Sequence, residues 1–285
     1  MSNRCPKNWR LDNTPSREKQ DAFCYHRYMP QFFRIPKVQL VLALVLIAFT
    51  AILHRPTIST IFVFLLAVGF SILFDLLFLT LRRIKLFIPY AAIVSGLIIG
   101  LLTSPDTPRY QIVIISALAM AGKNFFRISD RHIFNPAGFG LLLAGVLFRH
   151  PISWWGVSFQ TVARPLYFFI LCLPLLVSGL RMKRYAGTFS FLITYTLVSS
   201  VFFLRAFSLR NFLVTLFDPT VIFFSVVMVP EPMTSPVYPQ RQVLYGMMIA
   251  LTVAALSITR VSPDPLIAAL LAGNLIFFRF RSLSS

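Results

Sequence analysis

Long apolar runs, separated by short gaps rich in arginine, lysine and proline, organise this sequence from residue 38 onward. The runs fall roughly at 38–54, 57–81, 86–103, 110–122, 135–148, 166–180, 187–204, 212–230, 241–259 and 264–280. A helix needs about 20 apolar residues to cross the hydrocarbon core of a bilayer. The pattern therefore predicts an all-α polytopic membrane protein of about ten transmembrane helices. The runs at 110–122 and 135–148 are short for a full span and predict half-helices or re-entrant segments. Irregular backbone at that depth survives only where it is buried in protein or lines a cavity. Composition agrees, with 57% hydrophobic residues, 13% charged and a mean hydropathy of +0.75. Soluble domains are about 45–50% apolar. Residues 1–37 read differently, as a polar, basic tail. They carry no signal-peptide pattern, so the run from Val38 to Leu53 is expected to act as an uncleaved anchor.

Two proline-broken motifs return about 130 residues later. Thr103-Ser104-Pro105 recurs as Thr234-Ser235-Pro236, and Asn135-Pro136 with Leu143-Ala144-Gly145 recurs as Asp264-Pro265 with Leu271-Ala272-Gly273. The offsets are 131, 129 and 128. Proline lacks an N–H and clashes with the preceding turn, so each motif marks a helix end. Corresponding broken segments in two halves of a membrane protein point to a binding site at the repeat interface. The expected organisation is a basic tail at 1–37, a first five-helix repeat at 38–150, a connecting loop at 151–165 and a second five-helix repeat at 166–285.

The net charge of +18 sits in the gaps between runs, not on one patch, which argues against nucleic-acid binding. With the N-terminus inside, alternate gaps carry twenty Lys and Arg on one side and seven on the other. The positive-inside rule then predicts an even number of spans, with both ends cytoplasmic in a cell (inner) membrane. Five helices is an odd number, so the two repeats are expected to be inverted relative to each other.

Two stretches carry candidate chemistry. The first runs from Gly122 to Gly140, with Lys123, Arg127, Arg131 and His132 ahead of Asn135-Pro136. Asn135 is a good N-cap with Pro136 at the first helical position. A helix N-terminus with such cations nearby suits a phosphate or other anion. The second runs from Val229 to Pro236, where Pro230, Pro232 and Pro236 force an extended backbone around Glu231, Thr234 and Ser235. Ionisable groups at membrane depth are costly and usually functional. Asp75 is alone in its apolar run and is expected to pair with a neighbouring Lys or Arg, whereas Asp218 reads as an N-cap. Cys5, Cys24 and Cys172 are too scattered for a disulfide framework, and Cys24-Tyr25-His26 offers too few ligands for a metal. The sequence lacks a Walker A loop, a dinucleotide glycine fingerprint and a nucleophile elbow, and no metal ligands are expected.

These stretches resemble the family that includes the RnfD protein of the Rnf electron-transport complex and the NqrB protein of the Na+-translocating NADH:quinone reductase. The matching residues are Phe134-Asn135-Pro136-Ala137 and, in the second half, Met228 through Pro236 followed by Tyr245-Gly246. Glu231 stands where the family usually has Asp, which marks a divergent member. The resemblance implies ten helices in two inverted five-helix repeats, and flavin-based electron transfer coupled to ion movement within a complex of membrane and peripheral redox subunits. Family members carry FMN covalently on a threonine in a Ser-Gly-Ala-Thr motif. Here Thr161 is present but follows Ser158-Phe159-Gln160, so the resemblance implies FMN or riboflavin held without a covalent link. The residues expected around it are Lys123, Arg127, Asn135, Pro136, Gly138, Glu231, Thr234 and Ser235. The alternative is a channel or secondary transporter on the same fold with no redox cofactor.

Overall fold

The computed structural model describes residues 36–85, 88–128, 131–149, 152–158, 184–203, 209–259 and 263–278. The basic tail at 1–35, the three cysteines, Thr161 and the whole run at 166–180 lie outside the described residues. Helices α1 (Pro36–His54), α2 (Ile58–Leu81), α3 (Tyr90–Leu102) and α4 (Arg109–Phe125) come first. A hairpin of two-residue strands follows, β1 (Arg127–Ile128) and β2 (Arg131–His132), then α5 (Pro136–Phe148) and the short α6 (Trp155–Ser158). Next are α7 (Tyr185–Val198), α8 (Leu209–Leu216), α9 (Pro219–Phe223), α10 (Pro239–Thr259) and α11 (Pro265–Phe277). Wider π-type turns extend α7 over Ser199–Phe203 and α9 over Phe224–Met228.

Helix α2 shows why these elements need a membrane. One stripe, Thr60, Phe64, Ala67, Ser71, Asp75 and Leu79, is buried at helical spacing. The opposite face exposes Ile61, Leu65, Leu73 and Leu77. Soluble monomers do not present apolar faces of that extent to water. Among the described residues, Lys37–His54, Ile58–Leu81 and Pro239–Thr259 are long and apolar enough to cross a bilayer, and five shorter apolar helices accompany them. This is a membrane protein.

Packing is closest where glycine removes a side chain. A Cβ on Gly96 of α3 would lie 2.6 Å from the Val68 Cα of α2. Gly246 of α10 would meet the Gly187 carbonyl and Phe191 amide of α7 in the same way. Such small-residue contacts let helix backbones approach in lipid, where apolar burial gives little driving force for association.

Among the described residues, three of the boundaries that differ from the apolar runs bear on the site. Helix α3 starts only at Tyr90, after Pro89. Helix α4 extends to Phe125, so Lys123 and Asn124 belong to its last turn rather than to a gap. The run at 212–230 is broken at Phe217-Asp218: α8 ends, and Asp218 caps α9 by accepting from the Thr220 and Val221 amides.

Candidate functional site

The site grows from three helix ends. At the end of α4, Lys123 and Asn124 turn toward the buried stripe of α2. Lys123 Nζ donates to Asp75 Oδ2 at 2.7 Å, and Asn124 Nδ2 donates to Asp75 Oδ1 at 3.0 Å. Asp75 is fully buried and Lys123 nearly so. The carboxylate expected to find a cation therefore does, 48 residues along the chain. A buried charge without such a partner would be untenable.

After α4 the chain makes its hairpin, in which Arg127 pairs with His132 and Ile128 with Arg131. The Ile133 amide returns to the Phe126 carbonyl at 2.9 Å. Phe126, Phe134 and Phe139 pack ring against ring and hold the hairpin on the start of α5. There Asn135 Oδ1 accepts from the Gly138 amide at 3.0 Å, with Pro136 in the first turn, which is the cap expected from the sequence.

The third end is the loop after the π-turn Phe224–Met228. Its prolines leave carbonyls and side chains to close it. The Thr234 and Ser235 amides and the Ser235 hydroxyl all donate to the Glu231 carbonyl. Thr234 Oγ1 donates to Glu231 Oε2 at 3.1 Å. The other carboxylate oxygen, Oε1, lies 2.9 Å from His132 Nε2. One acidic side chain thus ties the loop to itself and to the hairpin 99 residues earlier.

Between these ends lies a cavity of about 280 Å³. Leu40, Val94, Ile98, Val227 and Met233 supply apolar wall, and Lys37, Lys123, Arg127, His132, Asn135 and Glu231 supply polar groups. Of the residues expected from sequence, Lys123, Arg127, Asn135, Pro136 and Glu231 line this cavity. Thr234 and Ser235 are buried beside it and act through Glu231. Gly138 stands apart: its amide goes to Asn135, and its Cα faces Ile267 and Leu271 of α11. His132 is not among the expected cofactor residues, although it stands in the first stretch, because nothing local shows that it reaches Glu231. Lys37, at the start of α1, reads in the sequence only as the end of the tail.

The other copies of the repeated motifs, at Thr103 and Asp264, occupy a second junction. Asp264 caps α11 through the Ile267 amide and accepts from Trp154 Nε1 at 2.7 Å. Trp155 Nε1 donates to the carbonyls of Thr103 at 2.7 Å and Gly100 at 3.1 Å. Indole rings thus pack where Asp264 and Thr103 offer acceptors, whereas the Asn135 and Glu231 junction borders the cavity.

Residues 34–170 match the model of the NQR2, RnfD, RnfE family. This stretch contains Asp75, Lys123, Arg127, His132 and Asn135, and it ends before Glu231. No curated protein matches the chain.

Proposed function

We propose, with residues 34–170 in the NQR2, RnfD, RnfE family, that this chain is a membrane subunit of an electron-transport complex that binds a flavin without a covalent link. The family supports the first part: its members are membrane subunits of such complexes. The cavity carries the second. A flavin ring has an apolar edge and an edge of alternating donors and acceptors, and the lining offers both kinds of surface. Leu40, Val94, Ile98, Val227 and Met233 would take the apolar part. Lys123 and Arg127 would stabilise negative charge on the ring, and Glu231 would accept from a ring N–H. At about 280 Å³ the cavity lies just below the usual range of ligand sites, about 300–1,000 Å³, so it suits a ring rather than a whole nucleotide. The bound flavin would supply reversible electron transfer. The protein's part is to exclude water and to set the charge around the ring.

The inverted five-helix repeats, the cytoplasmic termini and the coupling to ion movement belong to the same proposal. The paired caps Asn135 and Asp264, each followed by proline at the start of a thirteen-residue helix, support the repeats.

Visible absorbance of the purified chain tests the reading. Flavin bands are expected, and acid precipitation should leave the yellow colour in the supernatant. Protein that is colourless and neither retains added FMN nor quenches the fluorescence of added riboflavin would sink the flavin proposal in favour of a channel or transporter. Colour that stays with the denatured chain and disappears in Thr161→Ala would overturn the non-covalent part.

A further inference from the structure

Two arginines from distant parts of the chain, Arg131 beside His132 and Arg184 at Pro236, lie by the two ends of the Glu231 loop, near enough for the charge of one to act on the other. Side chains alternate across a strand. Arg127 and His132 form one cross-strand pair and line the cavity, so Arg131, in the other pair, points the opposite way. Arg184, just ahead of α7, sends Nη1 to the Pro236 carbonyl at 2.7 Å and so holds the far end of the Glu231 loop.

Among the described residues, two further donors of this arginine pair have no partner: Arg131 Nη1 and Arg184 Nε are buried and make no hydrogen bond there. Among the described residues the ion pairs are Arg55–Asp106, Lys123–Asp75 and His132–Glu231, so neither guanidinium has a carboxylate there. Glu231, the nearby acid, is engaged by His132 and Thr234. The two cations also oppose each other: burial, then the charge of Arg131, lowers the pKa of Arg184. A guanidinium does not shed its proton in proteins, so this charge is not relieved by titration. Buried unpaired donors and close like charges are both unfavourable, and an anion removes both penalties.

We propose that Arg131 and Arg184 form a binding site for a phosphate group, separate from the cavity. Two planar forks of N–H donors match the several acceptor oxygens of a phosphate better than a single carboxylate. A phosphate held there keeps Arg184 on the Pro236 carbonyl and steadies the loop that carries Glu231 and Thr234. The group is either a lipid headgroup phosphate or a soluble one. The inference stands whether or not the cavity holds a flavin.

The test is thermal unfolding of the full chain, stripped of lipid in a maltoside detergent. One arm compares sodium phosphate with sodium chloride at matched ionic strength. The other compares short-chain phosphatidylglycerol with the same diacylglycerol lacking phosphate. A rise of a few degrees in Tm in at least one arm is expected, because a ligand that binds only the folded state stabilises it. The rise should vanish in the Arg131→Gln, Arg184→Gln double variant and persist in Arg241→Gln. A rise with lipid alone identifies a headgroup, and a rise with inorganic phosphate identifies a soluble phosphate. No rise in either arm, or a rise that the double variant keeps, overturns the proposal. Should the double variant fail to fold, Arg131→Gln alone, which leaves the Arg184–Pro236 bond in place, is read by the same criteria.

Discussion

Asp75 shows what a charged residue requires at membrane depth. Its two oxygens are taken by the Lys123 ammonium and the Asn124 amide, and no part of it meets solvent. Removing one partner of such a pair leaves the other charge buried alone. Asp75→Asn is therefore expected to destabilise the protein by about 3–5 kcal/mol. The double change Asp75→Leu, Lys123→Met should cost less than either single change, because no lone charge remains. Thermal unfolding in detergent decides it, and three equal midpoints would show that the pair contributes nothing. Glu231 has a different role. It is only half-buried and joins the hairpin to the loop through His132 and Thr234. Glu231→Gln and Thr234→Val keep volume and most of the loop's hydrogen bonds, so both should express near wild type. Both should lose flavin retention or transport. Full ligand content and activity in both variants would reduce the loop to a connector.

At the scale of elements, capping and close approach set the geometry. The starts of α5, α9 and α11 each use Asn or Asp followed by proline, which satisfies orphan amides and stops the preceding chain. Between elements, the contact of α3 with α2 depends on Gly96. A Cβ there would sit 2.6 Å from the Val68 Cα and 2.8 Å from the Ala67 carbonyl oxygen, and backbone cannot yield as a side chain can. Gly96→Leu should force the two helices apart and lower the yield of monodisperse protein sharply. Gly69, where an added Cβ would meet nothing within 4 Å, should tolerate the same change. Size-exclusion profiles of the two variants make the comparison, and matching profiles would show that the tight contact is dispensable.

For the whole molecule, the charge pattern predicts how the chain threads the bilayer. Fusions after Lys85 and Lys183 should report the cytoplasm, and fusions after Arg109 and Arg210 the opposite side. The physical basis is the bias of Lys and Arg toward cytoplasmic gaps. Paired alkaline phosphatase and fluorescent-protein reporters read each site. A reversed result at either pair would break the proposed ten-helix threading, and with it the proposed inverted relation of the two halves. The same orientation would set Lys123, Arg127, Arg131 and Glu231 at the cytoplasmic end of the helices.

Much of this is legible from the order of residues alone, because it depends on local forces. The length of an apolar run decides whether a helix suits a membrane, and an Asn-Pro or Asp-Pro step decides where it starts. Hence the helices near 38–54, 57–81 and 241–259 and the caps at Asn135, Asp218 and Asp264 are readable in the sequence. So is the need of Asp75 for a cation. The identity of that cation is not, nor is the partnership of His132 with Glu231. Those depend on which faces of α2 and α4 meet and on how the hairpin lies against a loop from the other half. Helix register and packing settle such matters, and partners 48 and 99 residues apart leave no local trace. Gly138 falls outside the cavity for the same reason: its near neighbour in sequence, Asn135, faces the cavity, whereas its own Cα faces α11. The sequence by itself determined that this chain forms membrane helices with capped, broken ends. Only the tertiary structure decided which charges meet and where a cavity remains between them, because long-range packing chooses among many pairings that local chemistry allows equally.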